Sequence, residues 1–270
     1  MAIVNRTPDS FYDRGATFSD DAAKARVDTV VADGADIVDI GGVKAGPGEP
    51  VDAAAEAQRV VPLIAWIRSM HPDLLISVDT WRSEVASAAC DAGADIINDT
   101  WAGVDSGVVG VAAEAGAGIV CSHTGGARVR TRPHRVAYDD IVDDVVAEVT
   151  GAAARAREAG VREDGILIDP THDFGKNTHH GLALLRNVDR LVDTGWPVLM
   201  ALSNKDFIGE TLGVELSERV AGTLAATAFA ASRGARVFRV HEVADTRRAV
   251  DMIASIAGTR PPSRTVRGLA

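Results

Sequence analysis

Cysteine is nearly missing from this chain of 270 residues: Cys90 lies in an alanine-rich stretch and Cys121 ends an apolar run. Two thiols so placed give no disulfide framework and no metal-ligand spacing, so a reducing, cytoplasmic setting is expected. Basic residues are also short. There are 28 Lys and Arg against 38 Asp and Glu, a formal net charge of -10, and no basic run offsets it, which argues against nucleic acid as a partner. No uncharged apolar run reaches membrane-spanning length, and the start at Ala2-Ile3-Val4-Asn5 has no basic flank followed by a long apolar segment. Neither a membrane span nor a targeting segment is therefore expected.

What the chain does have is a 46% hydrophobic content laid out in eight short apolar runs separated by longer amphipathic, alanine-rich segments. The runs are Ile3-Val4, Ile37 to Ile40, Leu74 to Val78, Ile96-Ile97, Ile119 to Cys121, Ile166 to Ile168, Val198 to Met200 and Val237 to Val240. Buried parallel strands linked by crossover helices produce this pattern. Four runs follow a common glycine turn, at Gly34, Gly93, Gly116 and Gly234, as expected where a helix ends in a left-handed residue just before a strand. The expected fold is a single-domain α/β protein, an eight-stranded β/α (TIM) barrel of parallel strands over residues 1–258, with a tail at 259–270.

The residues at or after the ends of these runs are polar and individually distinct: Asn5, Asp39, Asp79, Asn98, His123, Asp169, Ser203 with Lys205, and Arg239 with His241. Any one of them could simply cap the following helix. In a barrel, however, all strands point the same way and their carboxyl ends share one rim, so together they would form one site. Arg239 and His241 alternate along the last run and so face the same side.

At these positions the sequence resembles the dihydropteroate synthase family. Ile3-Val4-Asn5-Arg6-Thr7-Pro8-Asp9-Ser10-Phe11-Tyr12-Asp13 is similar to that family's N-V-T-P-D-S-F-S-D signature. Ile76 to Thr80 and Ile96 to Asp99 resemble its third and fourth strand motifs. Asp169-Pro170 with Phe174-Gly175-Lys176 resembles D-P-G-x-G-F-G-K, Leu202 to Gly209 resembles L-S-R-K-S-F-I-G, and Arg239 to Val243 resembles R-V-H-D-V. The order of the motifs adds specificity that no single one has.

The resemblance implies a reaction in which a dihydropterin methyl diphosphate loses diphosphate to p-aminobenzoate. Asp79, Asn98, Asp169 and Lys205 would read the pterin edge, since two carboxylates, an amide and an ammonium match its donors and acceptors. Asn5, Arg239 and His241 would hold the diphosphate, where donors stabilise developing charge. Asp13, Lys205, Arg239 and His241 form the catalytic group by the same resemblance, with the loop from Thr7 to Gly15 as a mobile lid. It also implies a Mg2+ ion bridging Asn5 and the diphosphate, no tightly bound cofactor, and a homodimer formed through the late helices.

The departures cluster in the half that receives the amine, for which Phe11, Lys44, Pro47, Phe174, Ser203 and Asp206 are the candidates. The family loop G-G-E-S-T-R-P-G reads Gly41-Gly42-Val43-Lys44-Ala45-Gly46-Pro47-Gly48 here, losing the acid, both hydroxyls and the arginine. Asp206 replaces the serine that receives the aminobenzoate carboxylate. Two like charges about 4 Å apart at an effective dielectric near 20 repel by about 4 kcal/mol, roughly three decades of affinity. Thr171 and Asp173 stand where the family has glycines, and Asn204 where it has arginine. The expected protein keeps the pterin diphosphate site and has weak or no condensation onto p-aminobenzoate. The alternatives are an active synthase in which Lys44 compensates, and a barrel that binds pterin without turnover. Metal-dependent hydrolysis is set aside because His123 and His241 stand alone at their strand ends.

Overall fold

The structure is a computed structural model that describes residues 1–7, 17–131 and 137–267. Its strands are β1 (Ala2–Asn5), β2 (Ile37–Gly41), β3 (Leu75–Asp79), β4 (Ile96–Asp99), β5 (Gly118–Ser122), β6 (Ile166–Asp169), β7 (Leu199–Met200) and β8 (Val237–Phe238). The helices are α1 (Asp20–Ala32), α2 (Ala53–Met70), α3 (Ser83–Asp91), α4 (Gly107–Ala115), α5 (Ile141–Glu158), α6 (Thr178–Arg186), α7 (Val188–Val192), α8 (Asp206–Leu212), α9 (Val220–Ser232) and α10 (Val243–Ile256). Six strands form a parallel sheet in the order β1 to β6, and β7 pairs in parallel with β8.

Single bridges complete the ring, Ile168 with Val198 and Ala2 with Val240. The first is backed by the Ile168 N–H to Pro197 carbonyl bond of 3.0 Å, the second by the Ile3 N–H to Val240 carbonyl bond of 3.0 Å. The eight expected runs are thus the eight strands of an α/β barrel. The last two are shorter than expected, with Val198 and Val240 lying in isolated bridges outside the named strands.

Side-chain period decides what the barrel encloses. Met1, Ile37, Ile96, Val120, Leu167, Leu199 and Ala201 form a cluster of their own, whereas Val38, Ile40, Ile76, Val78, Ile97, Ile119 and Ile168 pack with the helices. Alternate residues of one strand therefore face opposite sides. Each fully buried Ile in the outer layer contributes about 1.5–3 kcal/mol of apolar transfer. Following the inward phase of these strands toward their carboxyl ends reaches Asp39, Asp79, Asn98, Asp169, Ser203, Arg239 and His241. The barrel lumen thus has an apolar floor and a polar upper end.

The glycine turns follow the expected chemistry: Gly34, Gly93, Gly116 and Gly234 have φ of 90°, 112°, 67° and 105°, a region open to glycine at no steric cost. Helix starts are capped by Ser19, Asp52, Asp140 and Asn177 side chains. None of Asp39, Asp79, Asn98 or Asp169 is a helix cap, so the capping alternative does not hold for them. Residues 259–267 are exposed and form no helix or strand. No helix is long and apolar enough to cross a membrane among the described residues.

Candidate functional site

The strand register builds the centre of the site. Asn5 pairs with Gly41, Gly41 with Asp79, and Asp79 with Asn98, which sets these side chains in one row around the rim. One step below, Asp39 pairs with Ser77. The Ser77 hydroxyl donates to Asp39 Oδ1 at 2.6 Å, and Asn98 Nδ2 lies 3.4 and 3.3 Å from the two Asp39 oxygens. Arg239 spans both levels, with Nε 2.5 Å from Asp39 Oδ2 and Nη2 2.7 Å from Asp79 Oδ2. The Thr100 hydroxyl donates to Asp79 Oδ1 at 2.9 Å. Arg239 is therefore held by two carboxylates of the protein. Asp39, buried with 0% exposure, was expected at the rim but without an assigned contact, and it holds Arg239 from below.

The electrostatics follow from burial of acids and bases together in one lumen. Burial, then the like charge of Asp39, raises Asp79 to about 6 against the pull of Arg239. Burial alone would lower the guanidinium of Arg239, but Asp39 and Asp79 more than offset it and hold the proton more firmly. Burial also raises Asp169 to about 6, against the Thr171 N–H and the charges of Lys205, Lys176 and Arg239. His241 is pushed down to about 3 by burial and then by Arg239, Arg26 and Lys205, so its ring is neutral at pH 7 and can offer a hydrogen bond but not a charge. Its Nδ1 lies 2.9 Å from Ser203 Oγ.

Two cavities open here. The inner one, about 130 Å³, is lined by Asn5, Asp79, Asn98, Asp169, Ser203, Lys205, Arg239 and His241, together with Lys44 and Phe174. The outer one, about 350 Å³, shares Lys44, Phe174 and Lys205 with it and adds Trp101, Asp173, Asp206, Phe207 and Glu210. Most of the expected site residues are thus brought together. Pro47 is not: residues 47–50 are all exposed, and Pro47 lines neither cavity. Phe11 and Asp13, with residues 8–15 of the expected lid, lie outside the described residues, while Thr7 is buried and lines the inner cavity.

His123 requires a correction on two counts. On β5, Val120 faces the lumen, so Cys121 and His123 face out; the imidazole leaves the rim and packs on α5. Its Nε2 lies 2.7 Å from Asp144 and 3.0 Å from Glu148, so it does not stand alone. These three are a set with metal-ligand spacing among the described residues. The ring Nδ1, however, is buried without a partner among the described residues, whereas a metal-bound imidazole normally anchors its second nitrogen. Hydrogen bonding of the His123 ring to two carboxylates of α5 accounts for the arrangement. Asn5 by itself offers one neutral oxygen, which does not make a Mg2+ site without substrate phosphates.

The loop after β6 carries the clearest local anomaly. Thr171 and Asp173 there, and Asn204 after β7, have φ of 51°, 69° and 57°, so residues standing where the family has glycine or arginine adopt left-handed backbone. For a β-branched residue this is a strained conformation, costing about 1–3 kcal/mol. Side chains hold it in place: the Thr171 hydroxyl donates to the Asp169 carbonyl at 3.0 Å and accepts the His123 N–H at 3.2 Å. Lys176 Nζ donates to the carbonyls of His123, Thr171 and Phe174 at 2.8, 3.1 and 2.9 Å.

Held this way, Asp173 accepts the Asp206 backbone N–H on Oδ2 at 2.6 Å. Asp206 is the first residue of α8 and its Oδ1 lies 2.8 Å from Arg219 Nη1. Arg219 compensates the Asp206 carboxylate, so the bare charge repulsion expected at residue 206 does not hold. Neither Asp173 nor Arg219 was given this role from the sequence, because no local pattern links residues 173, 206 and 219.

A parallel α/β barrel whose lumen ends in acids, an amide and an arginine, beneath an aromatic outer cavity, defines a small-molecule-binding barrel of the kind that reads a polar heterocycle. The chain belongs to the family described as pterin binding enzymes, which matches residues 1–241. It is 68% identical over 274 residues to the inactive dihydropteroate synthase 2 of Mycobacterium leprae (strain TN), covering 100% of this chain and 94% of that protein. Among solved structures it is similar to Yersinia pestis dihydropteroate synthase with a sulfonamide drug complex, at TM-score 0.90 and 32% identity, covering 96% and 94% of the two chains. It is also similar to Xanthomonas albilineans dihydropteroate synthase with 4-aminobenzoic acid, at TM-score 0.86 and 39% identity, covering 95% and 92%.

Proposed function

We propose that this chain is a dihydropteroate synthase homologue that binds dihydropterin methyl diphosphate and has lost condensation onto p-aminobenzoate. One observation carries the loss: the Asp173 carboxylate takes the Asp206 N–H at 2.6 Å. By the family resemblance, an incoming benzoate carboxylate is received at residue 206. Here two internal carboxylates occupy that position, and one of them already has the Arg219 guanidinium. The relative called inactive, 68% identical over the whole chain, supports this reading.

The pterin half is more nearly complete. Asp79, Asn98, Asp169 and Lys205 line the inner cavity and present the donors and acceptors that a pterin edge requires. Binding would have to release Arg239 partly from Asp39 and Asp79, or leave it in place beneath the ring. Asn5, Arg239 and His241 would meet the diphosphate, and a Mg2+ ion, when bound with that substrate, would be held by Asn5 and would supply charge neutralisation to the leaving group. The exposed apolar side chains Phe229, Met252 and Ile256 on α9 and α10 support a homodimer through these helices. Two free cysteines agree with a cytoplasmic location.

Calorimetry with the pterin diphosphate, followed by p-aminobenzoate, tests each half separately. The expected result is heat from the first ligand and none from the second. An Asp173→Gly, Asp206→Ser double variant is expected to recover p-aminobenzoate binding. Turnover of p-aminobenzoate by the unaltered protein at ordinary family rates would overturn the reading, as would absence of pterin binding.

A further inference from the structure

Lys44, Ala45, Phe174 and Lys205 line both the inner and the outer cavity and so form the wall between them. Of these four, Lys205 is the one assigned to the pterin edge, so whatever directs its ammonium bears on recognition. Its Nζ donates to the His172 carbonyl at 2.8 Å and lies 4.7 Å from the centroid of the Phe174 ring. Asp173, Asp169 and Asp206 attract the same charge, but among the described residues none of the three takes a hydrogen bond from it. One carbonyl and one aromatic face therefore set its direction.

The Phe174 ring is itself held. Trp101 meets it edge to face, with centroids 5.0 Å apart. Trp101 is buried in the turn after β4, where the Asp99 carboxylate accepts the Gly103 N–H at 2.7 Å. Its ring also meets Trp81 at 6.5 Å, and the Arg82 guanidinium lies 4.6 Å from the Trp81 ring. Arg82 pairs with the buried Glu56 of α2 and donates to the Val51 carbonyl at 2.6 Å. A continuous series thus runs from α2 through the loops after β3, β4 and β6 to Lys205 after β7. An edge-to-face pair has a preferred mutual orientation, so Trp101 sets the plane of the Phe174 ring. That plane sets where a cation can lie over its face.

We propose that Trp101, to which the sequence reading gave no role, is a positioning residue for pterin recognition. Acting through Phe174, it holds the Lys205 ammonium in the wall between the two cavities, where that group reaches the pterin edge. This deepens the reading given above and rests on its pterin site. A Trp101 that served packing alone would stabilise the fold without any link to Lys205.

The test is calorimetry on the full chain with dihydropterin methyl diphosphate as the only ligand, in a double-mutant cycle of Trp101→Ala and Lys205→Ala. Trp101→Ala is expected to weaken binding about tenfold where Lys205 is present and less than about twofold where it is absent. In an Asn98→Ala background, which keeps Lys205, the tenfold effect is expected to persist. Trp101→Phe keeps an aromatic edge and is expected to bind within about threefold of the unaltered protein. Phe174→Leu, which keeps apolar volume and removes the ring face, repeats the cycle with the same expectation and serves if Trp101→Ala does not fold.

No loss in Trp101→Ala, an equal loss with and without Lys205, disappearance of the loss in Asn98→Ala, or a Phe variant as weak as the Ala variant would each overturn the proposal. Absence of pterin binding by the unaltered protein would count against the proposed pterin site. Pterin binding without coupling to Lys205 would count against this inference alone.

Discussion

Replacing Arg239 by Gln removes the one cation that lies between Asp39 and Asp79, with contacts of 2.5 and 2.7 Å. Breaking a buried ion pair by deleting one partner costs about 3–5 kcal/mol, because the other charge is left uncompensated. Asp39 keeps its bonds from Ser77 and Asn98, and Asp79 keeps the Thr100 hydroxyl, which places the expected loss near the lower end, about 3 kcal/mol at pH 8.

The loss should depend on pH. Asp79 is raised to about 6 in the folded protein, above the ordinary value near 3.9. A carboxyl raised in this way keeps its proton longer in the folded state, so stability falls as pH rises from about 4 through the folded value. Without Arg239 the folded value moves higher still, and the stability difference between the two proteins widens above pH 6. At pH 5 Asp79 is largely protonated in both, and the loss is expected to be smaller by about 1 kcal/mol or more. Urea unfolding of both proteins at pH 5, 6.5 and 8 measures this. A loss below about 1 kcal/mol at pH 8, or an equal loss at pH 5 and 8, would refute the account of the acidic pair.

Three further outcomes are expected. Thr171→Gly relieves left-handed strain of about 1–2 kcal/mol but removes two hydrogen bonds of about 1 kcal/mol each; thermal unfolding should show a near-neutral change, and a loss above about 3 kcal/mol would show that the strain is absent. Burial pushes Lys176 down to about 7, so the folded state binds fewer protons than the unfolded chain between about pH 7 and 10, and stability gains from this group as pH rises through that window. Lys176→Met should abolish that gain, as the difference between denaturation curves at pH 7.5 and 9; an unchanged slope would show that Lys176 does not titrate there. Burial pushes the Cys121 thiol up to about 12, so alkylation at pH 8 should modify it only after unfolding in urea, and rapid labelling of the native protein would contradict its burial.

Much of the barrel was legible in the sequence because its signals are local. A left-handed glycine before a short apolar run reports an αβ turn whatever the rest of the chain does, and Gly34, Gly93, Gly116 and Gly234 all report one. The rim residues were legible for a related reason, since a polar residue in phase with inward-facing Ile or Val must end in the lumen. His123 is the exception. It follows the β5 run, but its phase is that of outward-facing Cys121, and only the period, not its position after a strand, decides its side. Pro47 was placed in the site by motif alignment alone, which says nothing about the direction its loop takes.

What sequence alone determined is therefore the set of strands, their common direction and the polar residues at their ends, because each depends on patterns spanning a few neighbouring residues. Tertiary structure decided the pairings. Arg239 reaches Asp39 and Asp79 across 200 and 160 residues, and Asp173 meets the backbone of Asp206 across 33. Such contacts depend on barrel register and loop path, which sum many small local geometries, and no stretch of sequence encodes that sum by itself.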